Sequence, residues 1–135
     1  MKLNQSKLAF KLALGATILS VQVMHGAPAK AQNAPTISIR DVQTVFHRQA
    51  RGNEYFTARL RAELVQQGVR FVPNVRQADA ILDTVGQYDG GAFFGKMTVF
   101  DKRGRVIWSE NVYRPDNSRT MVYNRLAEKF RARRR

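Results

Sequence analysis

The chain contains no cysteine. That single absence removes disulfides, thiolate metal sites and a lipid-modified cysteine at a cleavage point. Acids are also scarce. Ten Asp and Glu stand against 23 Lys and Arg, a formal charge of +13 over 135 residues. Histidine is rarer still: His25 and His47 lie too far apart for the His-x-x-x-His spacing of a zinc site. After the first thirty residues no apolar run approaches the roughly 20 residues that a bilayer-spanning helix requires. These absences leave a basic protein whose fold must rest on an ordinary apolar core.

The first thirty residues stand apart. Lys2, Lys7 and Lys11 precede the uncharged "LALGATILSVQVM" and then "HGAPAKAQ". A basic start, an apolar middle and a small-x-small end form the secretory signal pattern. Ala29 and Ala31 occupy the two recognition positions, so residues 1–31 are expected to be a signal peptide cleaved after Ala31, with Ala27-Pro28-Ala29 as a second site. The expected destination is the periplasm or the exterior. Residues 32–130 suffice for one domain, and residues 131–135, "RARRR", form a basic C-terminal tail. Beyond Ala31 nineteen basic residues face ten acids, and sixteen of the nineteen are arginine. A surplus of this kind points to anionic polymers, acidic lipid head groups or an acidic protein as partners.

Periodicity gives the elements. "TISIRDV" alternates Ile37 and Ile39 with polar residues and predicts a half-buried strand over 36–42. "QTVFHRQARG" either continues it or makes an irregular connection. Asn53 is placed to cap a helix carrying Phe56, Leu60 and Leu64, which Gly68 stops. "VRFVP" reads as a short strand, "NVRQ" as a turn and "ADAILDTVGQYD" as a longer strand with Ala80, Leu82, Thr84 and Gly86 on one face. "KMTVFDKRGRVIWSENVYR" is a hairpin around Asp101–Gly104, with Trp108 anchoring the core from its second strand. Asp116, Asn117 or Ser118 caps a last helix carrying Val122, Leu126 and Phe130. The predicted fold class is α+β: a two-layer α/β sandwich, a mixed or antiparallel sheet of four to five strands with two helices on one face.

Chemistry-bearing residues are few. Gly90, Gly95 and Lys96 have the G-x-x-x-x-G-K spacing of a phosphate-binding loop. However, Met97 stands where the magnesium-ligating hydroxyl belongs, and a strand follows instead of a helix. The glycines are therefore assigned to turns and close backbone approach, and no nucleotide is expected. Asp79 and Asp83, four apart, share one side of a strand. Asp79 is expected to bond turn backbone and Asp83 to pair with an arginine, an acid–base couple being the rival assignment. His47 has no motif-placed nucleophile beside it. Phe93 and Phe94 point to opposite sheet faces, and with Arg131, Arg133, Arg134 and Arg135 they are the candidate partner-binding residues. No metal or other cofactor is expected.

The stretch from "FTARLRAELVQQGVRFVPNVRQADAILDTVGQYD" to "MTVFDKRGRVIWSE" resembles small bacterial envelope domains. These are of the kind found in the curli-secretion lipoprotein CsgG, the amino-terminal domain of TolB and the lipopolysaccharide-assembly lipoprotein LptE. The matching positions are Leu64, Gly68, Ala78, Asp79, Leu82, Asp101, Gly104 and Trp108. The resemblance implies a non-catalytic domain used in envelope assembly or partner binding. The missing cysteine sets this chain apart from the lipid-anchored members. The expected function is thus an exported, non-enzymatic envelope domain binding a protein or anionic surface partner. Two alternatives stand beside it: a charge-driven binder of anionic polymer or lipid head groups, and a small hydrolase using Asp79, Asp83 or His47. Nucleic acid is not an expected partner of an exported chain.

Overall fold

A computed structural model describes residues 34–135, of which 35–135 form one compact unit. Ala29 and Ala31, with the expected cleavage point, lie outside the described residues. A 3-10 turn over Ile39–Asp41 leads into strand β1 (Thr44–Gly52), helix α1 (Glu54–Gln66) and the two-residue strand β2 (Arg70–Phe71). A second 3-10 turn, Val75–Gln77, precedes β3 (Ala80–Asp89), β4 (Ala92–Phe100), β5 (Val106–Arg114) and helix α2 (Arg119–Arg134). The sheet order is β2-β1-β3-β4-β5. β1 runs parallel to β2 and β3, and β3, β4 and β5 are antiparallel neighbours. The sheet is therefore mixed, with both helices in one layer against it, as predicted.

One strand was misplaced by the alternation of Ile37 and Ile39. Residues 36–38 are irregular, 39–41 make the 3-10 turn, and the strand begins at Thr44. Ser38 accepts a hydrogen bond from the Arg40 N–H and starts the turn. The turn tucks Ile39 into the end of the core, with Ile37 against it. Alternate apolar residues here answer to a turn that buries two side chains on one side, a geometry that period-two reasoning cannot separate from a strand.

Other elements form where local chemistry places them. Asn53 Oδ1 accepts from the Phe56 N–H at 2.9 Å and caps α1. Past its end, Gly68 adopts a positive φ of 92°. Of the three candidate caps of α2, Ser118 is the one used, accepting from the Met121 N–H. Phe56, Leu60 and Leu64 of α1 meet Val122, Leu126 and Phe130 of α2 over Leu82, Phe93, Met97 and Val99 of the sheet, all essentially inaccessible to solvent. Each such side chain contributes about 1.5–3 kcal/mol of apolar burial. Trp108, half-buried, stacks at 5.4 Å on Phe130. The close packing depends on two glycines. A Cβ at Gly86 would sit 2.6 Å from Phe56 Cγ, and one at Gly95 would sit 2.9 Å from Phe56 Cζ and closer still to Val122. Gly95 is thus a point of close approach, and residues 96–100 after it are strand, not the helix of a phosphate-binding loop.

Candidate functional site

Because both helices pack on one face, register defines what the other face displays. Phe46, Ile81, Phe100 and Val106 form one row across β1, β3, β4 and β5. Gln49, Asp83, Thr98 and Ser109 form the next, and Arg51, Val85, Lys96 and Asn111 the third. Gln87, Phe94 and Tyr113 complete it. Apolar and aromatic rows thus bracket two polar ones. Phe46, Val85, Phe94 and Phe100 are half-buried, while Val106 and Tyr113 are 51% and 56% exposed. A register shift between His47 and Gln49 turns Arg48 onto this face. There its guanidinium forms a two-pronged ion pair with Asp83, at 2.6 and 3.1 Å, and lies 4.9 Å above the Phe100 ring.

This arrangement disperses the sequence-predicted acid–base residues. Asp79 Oδ2 accepts the Gln43 and Thr44 N–H groups at 2.9 and 3.0 Å, pinning the start of β1 to the start of β3. The Gln43 N–H, outweighing burial, holds that carboxyl below its ordinary range. Asp83 belongs to Arg48. His47 points to the helix side, between Thr84 Oγ1 at 2.9 Å and an Arg61 nitrogen at 3.0 Å. Burial first, and Arg61 second, lower its pKa against the opposing effect of Asp83. Thr84 is 2% exposed, so the hydroxyl beside the imidazole has no route to a substrate. Among the described residues no three His, Asp or Glu side chains converge as a metal site. No helix there is long and apolar enough to cross a membrane.

The candidate partner-binding residues separate. Phe93 is corrected: it faces the helices, is fully buried, and packs on Phe56 and Tyr88. A side chain committed to the core has no surface to offer a partner. Phe94, one residue on, stands on the open face opposite Tyr113. The basic end is not a loose tail either, because α2 continues through Arg134. Helix phase then divides its arginines. Arg131, Arg134 and Arg135, at i, i+3 and i+4, line a cleft of about 420 Å³ with Arg40, Glu63, Gln66 and Gln67. Arg133 turns away toward Trp108 and Lys129. Arg134 donates to the carbonyls of Val42 at 2.8 Å and Gln67 at 3.4 Å, closing the end of α2 onto α1 and the start of β1.

Sequence reasoning missed Arg40, Tyr113 and a third cluster at the opposite end of the sheet. In that cluster Arg119 stacks on Tyr55 and Arg59 on Tyr123, with the two tyrosines edge to face at 6.4 Å. The signals were present as Tyr and Arg residues in the two helical stretches, but only the fold brings them together.

No protein-family model matches the chain, and no curated protein matches it in sequence. Solved structures match in fold. The chain is similar to a dodecameric variant of PelC from Paraburkholderia phytofirmans, at 16% identity over 74% of this chain and 94% of that one, with a TM-score of 0.51. It also matches lipoprotein GNA1162 from Neisseria meningitidis, at 15% identity over 64% and 94% with a TM-score of 0.43. The LpoB C-terminal domain from Salmonella enterica matches at 13% identity over 63% and 90%, with a TM-score of 0.41. At such identities the first match establishes a shared fold, and the two lower scores add nothing to it. The families named from the sequence are not shown by these likenesses, which concern the fold alone.

Proposed function

We propose that this is an exported, non-catalytic domain of the bacterial envelope that binds a protein partner across the open face of its sheet. The observation that carries the proposal is that face: four residue rows without a helix layer among the described residues, ending in Phe94 and Tyr113 and mixing apolar, aromatic and charged side chains. Aromatic and arginine side chains set among polar ones are the composition of protein interfaces. The commitment of Asp79 to backbone, Asp83 to Arg48 and His47 to Thr84 and Arg61 supports binding over hydrolysis. The signal-like first 31 residues and the fold shared with PelC support the envelope assignment.

Photo-crosslinking tests it. A photoreactive residue at Lys96 or Tyr113 is expected to trap one discrete envelope protein, still captured at about 0.5 M salt, where exposed charges are screened beyond about 4 Å. Ala58 and Ala62, exposed on the helix layer, are expected to trap none. Capture that is equal at both sets of positions overturns the proposal.

A second reading, charge-driven attachment to an anionic surface component, is favoured by a separate observation. Arg40, Arg131, Arg133 and Arg135 make no side-chain hydrogen bond or ion pair within the described residues.

A further inference from the structure

We infer that the cleft between the C-terminal ends of the two helices is a discrete binding site for a phosphate-bearing headgroup. This rests on the charge-driven reading and sharpens it from a diffuse tail to a shaped site. Three elements build it. α2 contributes Arg131, Arg134 and Arg135 along one helical stripe, and α1 contributes Glu63, Gln66 and Gln67 along another. Arg40 comes from the 3-10 turn before β1.

Both helices start at the same end of the sheet, where β1 and β5 finish, since those strands run the same way, so their C-termini share the other end. Each helix end carries roughly half a negative charge, which accounts for part of the arginine there. Glu63 accounts for one more. Four guanidiniums still leave a positive surplus, gathered around a concave surface that focuses their field. Arg134 is fixed by its two carbonyl acceptors and so holds its fork in place before any ligand arrives. Its Nε and Gln67 Oε1 are buried behind the wall of the cleft, with no hydrogen-bond partner among the described residues.

The residual charge selects the ligand class. A phosphomonoester, with three acceptor oxygens, engages more guanidinium forks than a lone carboxylate can. At about 420 Å³ the cleft holds more than a bare phosphate, and it falls within the roughly 300–1,000 Å³ of small-ligand sites. The exposed Gln66 side chain stands ready to bond a hydroxyl or carbonyl of the group that bears the phosphate, while Gln67 Nε2 is committed to the Ala127 carbonyl at 2.8 Å.

Two arms separate a free phosphorylated molecule from a lipid head group. The exported protein, uniformly labelled with 15N, is titrated with glycerol phosphate and, separately, with vesicles of phosphatidylcholine containing phosphatidic acid, so that both arms present a phosphomonoester. Shifts are expected at residues 40, 66, 67, 131 and 135 in one or both arms, and the responding arm identifies the source. The double variant Arg40→Gln/Arg131→Gln removes two unpaired, exposed side chains and should weaken binding by about 30-fold. Arg51→Gln/Arg119→Gln removes the same charge at the far end of the sheet and should weaken it by less than about 3-fold. Matched thermal melts confirm that both variants fold. Equal losses in the two variants, or no response in either arm, overturn the inference. Neither result touches the sheet-face cross-link, and loss of that cross-link leaves this site standing.

Discussion

Asp101 is fully buried, yet it is the most heavily hydrogen-bonded carboxylate of the domain. Its Oδ1 accepts the Arg103 and Arg105 N–H groups, both at 2.9 Å, and shapes the β4–β5 turn. Its Oδ2 accepts the Thr36 N–H at 3.0 Å and the Thr36 hydroxyl at 3.3 Å, tying down the segment ahead of β1. The near-isosteric Asp101→Asn change keeps one acceptor oxygen and replaces the other with an NH2 group. If the oxygen serves the turn, the NH2 confronts the Thr36 N–H and releases that donor. Hydrogen bonds to charged acceptors are each worth about 1.5–3 kcal/mol, and the released Thr36 N–H, on an exposed residue, can turn to water. Because Thr36 can reorient its hydroxyl to accept, the expected total loss is about 2–4 kcal/mol, a large share of a typical 5–15 kcal/mol stability.

Acid provides the internal control. Burial alone would raise the Asp101 pKa, but the Arg105, Thr36 and Arg103 N–H donors prevail and hold it below the ordinary range. The unfolded chain therefore takes up this proton first as pH falls. The stabilisation is complete above the unfolded pKa of about 3.9 and is lost as pH drops through the folded one. Urea unfolding of wild type and Asp101→Asn should show the full gap at pH 7 and a gap that narrows below about pH 4. A gap under about 1 kcal/mol at neutral pH, or one that persists undiminished into acid, refutes the reasoning.

Gly95→Ala places a methyl against Val122 and Phe56, at an expected cost of about 1–3 kcal/mol for overpacking. Chemical denaturation checks it, and Phe56→Leu in the same chain should recover part of the loss. Arg134→Ala removes two donors to otherwise unpaired carbonyls at the shared helix end and should cost about 1–3 kcal/mol. Arg133→Ala, at the adjacent residue but turned toward another side of α2, should leave the unfolding midpoint unchanged. Equal effects would mean that the arginines act by charge alone.

Much of the fold was legible because local chemistry and tertiary demand agree. Phe56, Leu60 and Leu64 sit at helical spacing between Asn53 and Gly68, and each signal names the same helix. The hairpin around Asp101–Gly104 was equally overdetermined. The opening strand failed because Ile37 and Ile39 satisfy the period of a strand while serving a turn. What settles the matter is Asp79, some forty residues later, whose carboxylate takes the Gln43 and Thr44 N–H groups and so fixes where β1 begins. No window along residues 36–42 contains that acceptor.

The site was less legible, for a related reason. A run of arginines at the end of a chain carries a charge count but no direction, and only the continuation of α2 through Arg134 supplies one. At 100° per residue, Arg131, Arg134 and Arg135 converge while Arg133 departs, so the same five residues yield both a cleft wall and a solvated flank. Arg40 joins them from ninety residues away because its turn lies beside Val42, whose carbonyl Arg134 also binds. Phe93 and Phe94 divide in the same manner: strand parity predicted opposite faces, and the side chosen by the helices decided which ring was spent on the core. Composition therefore identified the materials of recognition, arginine and aromatic rings, whereas the phase of each element within the sandwich determined which of them remain free to recognise anything.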